Sequence, residues 1–275
     1  MFPTNNKKRF RQTSYFTVFL TLLVFNGCVS SSKEINPELD AQLMSKEDEV
    51  KFGYYVDAVV CNEFMILEKE RLTKQIAVIG NSLVRHSLRP DLEFTFKIVN
   101  SDTVNAFAGP GGFIYITVGL LDILKSKDEL AAILGHEIGH VCARHSIKSW
   151  NTAQKISKPL AILDLASIIA GLPPVASAGG EIIADVGRKA AHLASVIVYQ
   201  GYSRGYEYQA DELGLQEMSE AGYNPEGMIK VFERLIALRE REGRGKGLLL
   251  LASHPHTEDR IQNIRKLIAG LEMEK

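Results

Sequence analysis

The chain has 275 residues, enough for one sizeable domain or at most two small ones. Its composition, 45% hydrophobic and 24% charged, is ordinary for a globular protein. The formal net charge is −1 and no basic stripe is present, so nucleic acid is not expected as a partner. No fixed-period repeat is visible, which argues against a repeat array.

The first 27 residues are typical of an export signal. Basic residues between positions 7 and 11 precede an apolar run over 15–25, and Gly27 follows shortly after it. The run is about 11 residues long, well short of the roughly 20 that a membrane-spanning helix needs. We therefore predict a signal peptide over 1–27; the alternative is an uncleaved membrane anchor.

Cys28 follows this segment directly. The pair Gly27-Cys28 after an apolar run resembles a bacterial lipoprotein signal, in which the cysteine is acylated and becomes the mature N-terminus. The resemblance implies lipidation of Cys28, and Val29 in place of aspartate implies sorting to the outer membrane. Acyl chains would hold the protein firmly on a membrane surface. The polar segment 28–45 is then a tether, and we expect a lipid-anchored protein at the periplasmic face of the outer membrane.

Two further cysteines, Cys61 and Cys142, lie within the predicted domain. A periplasmic location permits a disulfide between them, but nothing in the sequence shows that they meet. Cys142 falls about 200° around a helix from His140. We interpret it as a small buried hydrophobic residue.

The first half of the domain is predicted to contain helices and a small sheet. Helical patterning runs from Ser45 to about Ser87, with a break near Phe64. Alternation and a high content of aromatic and β-branched residues predict short strands over 92–100, 104–108 and 112–118. The glycine-rich turn 109–112 joins the last two strands. A phosphate-binding loop is not expected there, because a strand rather than a helix follows.

The second half of the domain is predicted to be helical. A capping box, Ser126 with Glu129 three residues later, opens a helix with apolar residues at helical spacing. Residues 160–198 are apolar but interrupted by glycines, prolines and acids, so two packed helices are expected rather than a membrane span. Further helices are predicted over 202–221, 225–241 and 257–272. The fold class is α+β and mainly helical, with one domain over 46–275.

The segment GHEIGHVCARH, residues 135–145, holds three of the chain's seven histidines. On a helix, His136 and His140 are about 40° apart in azimuth and about 6 Å apart along the axis, so both can bind one ion. Zinc accepts such ligands and keeps one position open for water in catalytic sites. Glu137, rotated about 100° from His136, can reach that water as a general base. His145, about 140° from His140, is predicted to be a bystander.

Such a site requires a third protein ligand. The segment SRGYEYQADELG, residues 203–214, places Glu207 and Asp211 four residues apart on another helix. One of the two can bind zinc while the other accepts the remaining N–H of a ligating histidine. The alternative interpretation of this segment is an ordinary solvated acidic face.

Over roughly residues 45–272 the chain resembles the HtpX-like, CAAX-prenyl-protease-type zinc metallopeptidases, peptidase family forty-eight, and in particular their small periplasmic lipoprotein members. The resemblance rests on four segments: NAFAGPGGFIYITVGLL (105–121), HEIGH (136–140), SRGYEYQAD (203–211) and SHPHTEDRI (253–261). It implies a zincin-like fold of the gluzincin type, with a small sheet beside the active-site helix and one zinc ion per chain.

The resemblance also implies roles for single residues. Glu207 would be the third ligand and Asp211 the supporting carboxylate. Gln209 stands where the family often has a second acid, a departure that touches neither role. His254 would face the metal as an occluding fourth ligand or as a hydrogen-bond donor to the transition state, and Arg260 falls on the arginine that follows this stretch.

These features predict a membrane-anchored zinc metalloendopeptidase that hydrolyses misfolded or misassembled envelope proteins. By the same resemblance, strand 112–118 would border the cleft and pair with an extended peptide. Glu137 would take a proton from water and return it to the leaving amine. Two other classes stay open: an outer-membrane assembly factor or chaperone with a mostly latent zinc site, and a structural lipoprotein with a chance motif that binds no stoichiometric zinc.

Overall fold

The computed structural model describes residues 44–154, 187, 189–242, 249–255 and 257–273. The predicted signal peptide, Cys28 and most of the predicted tether lie outside these residues. Most of the segment 160–198, with its two predicted helices, lies outside them too. Within the described part of the chain, no helix combines the length and the hydropathy needed to cross a membrane.

Helices form most of the described chain. Six of them begin and end close to their predicted bounds, whereas the helices Val118–Ile123, His145–Gln154 and Leu249–Ser253 were not predicted. The helices are α1 (Lys46–Glu63), α2 (Glu70–Val84), α3 (Val118–Ile123), α4 (Lys127–Cys142), α5 (His145–Gln154), α6 (Arg204–Glu220), α7 (Glu226–Glu242), α8 (Leu249–Ser253) and α9 (Thr257–Met273). A π-helical segment, Val196–Gln200, precedes α6. The strands are β1 (Thr95–Val99), β2 (Ala106–Ala108) and β3 (Phe113–Thr117). The prediction of a mainly helical α+β fold is confirmed.

The three strands form one sheet in the order β1-β3-β2. β1 runs parallel to β3 in the register Thr95↔Phe113, and β2 runs antiparallel to β3 with Phe107 opposite Tyr115. β3 is therefore hydrogen-bonded on both sides. The expectation that strand 112–118 pairs with an extended peptide is wrong, because β1 already occupies the edge of β3 that a peptide would need.

The sheet separates two hydrophobic cores, since alternate residues of β3 point to opposite faces. Ile114 and Ile116 belong to the larger core, which includes apolar residues of α2, α4, α6, α7 and α9. Phe113 and Tyr115 belong to the second core, with residues of α1, α5 and the segment 190–202. Helix α4 thus packs on one face of the sheet, and the sheet fixes its position.

The two cysteines within the described residues are free thiols, and no disulfide joins them. Cys142 is buried at the end of α4, as predicted, and burial raises its pKa to about 12. Cys61 is exposed on α1, with Sγ 3.3 Å from Lys97 Nζ.

Helix α4 begins at the predicted capping box. The Ser126 hydroxyl accepts a hydrogen bond from the backbone N–H of Glu129 at 3.1 Å. The Glu129 carboxylate accepts from the backbone N–H of Lys125 at 2.8 Å, one residue earlier than in the usual box. The helix ends just before Arg144, whose φ of 56° is rare for a residue other than glycine. His145 consequently begins α5 and is not a continuation of α4.

Candidate metal centre

Two neighbouring helices bring pairs of polar side chains to one buried point. α4 carries His136 and His140, and α6 carries Glu207 and Asp211, each pair four residues apart and so on one helix face. Ser203 is the N-cap of α6, so Glu207 lies in the first turn, where the helix dipole favours a carboxylate. His136 is 7% exposed and the other three are at most 1% exposed.

The donor atoms of this cluster are spaced as metal ligands are. His136 Nε2 lies 3.0 Å from His140 Nε2 and 3.5 Å from Glu207 Oε2. His254, just after α8, places Nδ1 3.1 Å from both Glu207 oxygens and from His136 Nε2. One donor atom from each of the four residues lies within 4.8 Å of the others. Tetrahedral ligands about 2.0–2.2 Å from one zinc ion lie roughly 3.3–3.6 Å apart, so the residues fit such an ion.

Asp211 and Arg260 form hydrogen bonds that fix the side chains of the donor cluster. Asp211 Oδ1 lies 2.9 Å from His136 Nδ1, which leaves Nε2 facing the cluster. The Arg260 guanidinium donates to both Asp211 oxygens at 2.7 and 2.6 Å and to Glu207 Oε2 at 2.6 Å. Arg260 is 1% exposed and comes from α9, far along the chain from both ligand helices. One arginine therefore fixes two carboxylates, each of which serves a candidate ligand position.

The electrostatics of the metal-free cluster favour the metal-binding forms of Glu207 and His140. His136 differs: burial and Arg260 lower its pKa, but the hydrogen bonds to Asp211 and Glu207 outweigh them and raise it to about 9. Burial alone would raise the pKa of Glu207, but interaction with His254 and Arg260 holds it well below the usual range. Burial also lowers the pKa of His140 well below its ordinary value. An ionised carboxylate and a neutral imidazole are the forms that bind zinc.

Glu137 points at the same cluster but differs from its neighbours. Its side chain is 1% exposed, and neither carboxylate oxygen has a hydrogen-bond partner among the described residues. Burial raises its pKa. The nearest candidate donor is His254 Nε2, 3.6 Å from Glu137 Oε1. An unpaired buried carboxylate beside a donor cluster is placed to accept a proton.

The prediction for His145 needs correction. His145 does not join the four-residue donor cluster, in line with its predicted absence from the metal, but it is not an idle side chain. Because the chain turns back at Arg144, His145 Nδ1 lies 2.9 Å from His140 Nδ1. Its Nε2 lies 2.9 Å from Gln209 Oε1. Helical periodicity missed this contact, since an angle around α4 has no meaning for a residue that has left α4.

The structure thus brings together all seven site residues that the sequence placed in the domain: His136, Glu137, His140, Glu207, Asp211, His254 and Arg260. The eighth predicted site residue, Cys28, lies outside the described residues. His145 and Gln209 are the additions.

Known proteins with similar sequences carry protease or metalloprotease names. The beta-barrel assembly-enhancing protease of Yersinia pestis is 27% identical over 259 residues, which cover 90% of this chain and 51% of that protein. The mitochondrial metalloendopeptidase OMA1 of Saccharomyces cerevisiae is 32% identical over 192 residues, 66% of this chain and 49% of that protein. The metalloprotease LoiP of Escherichia coli is 28% identical over 196 residues, which cover 71% of this chain and 69% of that protein. The chain spans about half the length of the first two relatives.

A family model gives the broader assignment. The model of peptidase family M48 matches residues 70–268, well over half of the chain. That range begins within α2 and ends within α9, so it includes both ligand helices, His254 and Arg260. With the cluster geometry and this match in agreement, the chain belongs to peptidase family M48, as its sequence motifs predict.

Proposed function

We propose that this protein is a zinc-dependent metalloendopeptidase whose ion is held by His136, His140 and Glu207. The observation that carries the proposal is the unpaired, buried carboxylate of Glu137 beside a donor cluster of ion size. A zinc ion held there would supply Lewis-acid polarisation to a scissile carbonyl and to a water molecule.

Glu137 would take a proton from the attacking water and return it to the leaving amine. Burial raises its pKa, which makes it a stronger base toward water than an exposed glutamate is. Asp211 and Arg260 would contribute indirectly. Their hydrogen bonds keep His136 and Glu207 from rotating away, so the reacting groups need no rearrangement at the moment of attack.

The proposed substrate is an unfolded or misassembled envelope protein, bound in extended form along the outer edge of β2, which is the last strand of the sheet and is buried. The backbone N–H of Thr117 donates to Asn105 O at 3.0 Å, so the odd-numbered residues of this strand face β3. The backbone groups of Ala106 and Ala108 point to the opposite edge, where no hydrogen bond joins them to the described residues. An extended peptide can form hydrogen bonds with these backbone groups of β2. Unfolded segments have unpaired backbone groups available for such pairing, whereas most of those in a folded protein are already paired.

Two contacts support this path for the substrate. Ser253, the residue before His254, donates from Oγ to Asn105 Oδ1 at 3.4 Å. The backbone N–H of Leu250 donates to Val104 O at 3.0 Å. A peptide paired along β2 would therefore pass the donor cluster. The name of one relative, beta-barrel assembly-enhancing protease, supports envelope proteins as the substrate class.

A second candidate function is an outer-membrane assembly factor or chaperone with a latent zinc site. The observation that favours it is the position of His254 Nδ1, inside the donor cluster at 3.1 Å from Glu207. As a fourth ligand, this ring would fill the position that a catalytic site keeps open for water.

We propose the cell envelope as the location, with the protein anchored by acyl chains on Cys28 to the periplasmic face of the outer membrane. The support is the basic and apolar pattern of residues 1–27, which ends in Gly27 and is followed directly by Cys28. The name of the similar beta-barrel assembly-enhancing protease of Yersinia pestis agrees with a place in the cell envelope.

Zinc analysis and digestion of unfolded casein by the purified full-length protein test the function. We expect one zinc ion per chain and cleavage that a chelator abolishes and added zinc restores. A peptide with N-methylated amides flanking the scissile bond should resist cleavage, because it cannot pair with β2. Stoichiometric zinc without cleavage would favour the latent assembly factor. Absence of stoichiometric zinc would refute both and leave a structural lipoprotein.

A further inference from the structure

His145 lies in a buried stack of rings behind His140. The His145 side chain is 0% exposed, and its ring stacks on Tyr206 with centroids 4.2 Å apart and planes 13° apart. The His140 ring stacks in the same way on Tyr202, at 4.2 Å and 22°. Gln209, one turn along α6 from Tyr206, closes the far side through its contact with His145. Aromatic stacking therefore restricts the orientation of both histidine rings independently of their hydrogen bonds.

Hydrogen bonds link His140 to His145 and His145 to Gln209. Their donors and acceptors follow from the requirement that His140 bind the ion. His140 Nε2 faces the cluster and must keep its lone pair, so the proton of the neutral ring sits on Nδ1. That N–H donates to His145 Nδ1 at 2.9 Å. The proton of His145 then sits on Nε2 and donates to Gln209 Oε1 at 2.9 Å. A reversed Gln209 amide would reverse both bonds and place a proton on His140 Nε2, where it would block the metal.

The neutral state that these hydrogen bonds require agrees with the surroundings. Both rings are buried, with His140 1% and His145 0% exposed, and burial disfavours a charged imidazole. The two candidate histidine ligands, His136 and His140, therefore differ in the hydrogen-bond partner of Nδ1. His136 donates to the charged carboxylate of Asp211, whereas His140 donates to the neutral ring of His145, which in turn donates to Gln209. We call the pair His145 and Gln209 the relay.

The backbone supplies independent support. Arg144 holds a φ of 56°, which costs energy in a residue with a side chain. Its guanidinium Nε lies 2.9 Å from Glu49 Oε2, and that carboxylate is 1% exposed. The strained turn places His145 against His140; an uninterrupted helix would carry it to another side. A costly conformation that persists beside a site is a reason to look for a role there.

We propose that His145 and Gln209 are positioning residues that fix the tautomer and the orientation of His140 as a metal ligand. The inference rests on the proposed metal site and adds to it two residues that do not touch the ion. Hydrogen-bond partners of ligating histidines typically alter metal affinity by about 10- to 100-fold when they are removed.

The first test measures zinc affinity by competition with a chromogenic chelator. His145→Phe keeps a ring to stack on Tyr206 but cannot accept a hydrogen bond, and we expect affinity to fall about 10- to 100-fold. His145→Gln restores an acceptor and should recover much of the loss. Gln209→Leu should weaken binding, whereas Gln216→Leu, exposed on the same helix, should not. Unchanged affinity in both His145→Phe and Gln209→Leu would overturn the proposal.

The second test reads the protons directly and needs neither zinc nor catalysis. Long-range proton–nitrogen NMR of the full-length protein labelled with ¹⁵N-histidine should show His140 protonated at Nδ1 and His145 protonated at Nε2. Gln209→Leu should change the His145 signals and leave those of exposed His192 in place. The opposite tautomers would overturn the relay even if zinc binds. Correct tautomers in a protein that binds no zinc would support the relay and refute the proposed peptidase, so the two failures are distinct.

Discussion

Gly135 on α4 and Gly214 on α6 face each other with no side chain between the two helices. A Cβ atom added to Gly135 would lie 3.1 Å from Gly214 Cα, and one added to Gly214 would lie 2.7 Å from the Gly135 carbonyl carbon. One turn further along α4, a Cβ on Gly139 would lie 2.8 Å from Ala210 O. The helices therefore touch backbone to backbone. This close approach lets side chains from both helices meet in one donor cluster.

Gly214→Ala should force α4 and α6 apart and weaken both the fold and the metal site. We expect a loss of about 1–3 kcal/mol in the free energy of unfolding, typical of overpacking, because the neighbouring atoms are backbone and cannot move aside. Zinc affinity should fall as well. Chemical denaturation without metal and a zinc titration measure the two effects.

The matched control for this change is Gly205→Ala on the same helix. No atom lies within 4 Å of a Cβ added there. Alanine should be neutral at Gly205 or stabilise by about 0.5–1 kcal/mol, since it lowers the entropy of the unfolded chain. Equal behaviour of the two alanine variants would show that close helix contact does not control the site.

Local signals in the sequence predicted most of the helices and the ligand pairs. The capping box at Ser126 and the four-residue spacing of His136 and His140 depend only on nearby residues, so they could be read without the fold. Arg260 could be assigned only by resemblance, because no local pattern connects α9 to the acids of α6.

Two features could not be predicted because they depend on distant or rare geometry. The parallel pairing of β1 with β3 joins strands that are not consecutive in the sequence, and the alternation of residues within each strand does not indicate which strands pair. The position of His145 depends on a positive φ at Arg144, which the identity of the residue gives no reason to expect.

Glu137→Gln should retain zinc and the fold but abolish cleavage of unfolded casein, because the amide cannot accept a proton from water. The stability at neutral pH should not fall. Burial already disfavours the charged form of Glu137, and no described residue donates a hydrogen bond to it. Zinc content, circular dichroism and turnover are measured on one preparation. Turnover within tenfold of the wild type would exclude the general-base role.

Glu217 should make stability depend on pH. Its carboxylate is 2% exposed and has no hydrogen-bond partner among the described residues; burial and then the nearby Glu220 raise its pKa well above the ordinary value. The folded state therefore keeps a proton that the unfolded chain releases above about pH 4.5, so stability falls as pH rises through that window.

Glu217→Gln removes this proton and should stabilise the metal-free protein at pH 8 but hardly at pH 4. The gain should grow by at most about 1.4 kcal/mol per pH unit above pH 4.5. Urea denaturation at both pH values measures it, with Glu212→Gln on the exposed face of the same helix as control. A gain that is equal at pH 4 and pH 8 would contradict a buried, protonated Glu217.

Cys28→Ser should free the exported protein from the membrane pellet, because serine at this position cannot be acylated. Cys61→Ser is the matched control, since it removes an exposed thiol within the domain and should leave the protein in the pellet. Fractionation followed by immunoblotting measures both. If the Cys28→Ser protein stays in the pellet at its full length, residues 1–27 act as an uncleaved anchor.

His254→Ala separates a gate from a catalytic donor. The ring lies within reach of both roles: Nδ1 is 3.1 Å from Glu207 and Nε2 is 3.6 Å from Glu137 Oε1. The backbone carbonyl of His254 accepts a hydrogen bond from Arg260 at 3.3 Å, which ties this segment to the residue that holds the acids. The structure therefore positions the ring firmly in the cluster without choosing between the roles.

We expect the gate. Nδ1 of His254 is one of the four clustered donor atoms, so as a fourth ligand it would keep water from the ion until a substrate displaces it. His254→Ala should then raise basal cleavage of unfolded casein and leave zinc bound through His136, His140 and Glu207, while His192→Ala, at an exposed histidine, should change neither. Loss of a transition-state donor would instead lower the rate by about 100- to 1000-fold. A fall of that size with zinc retained would establish the catalytic role and overturn the gate.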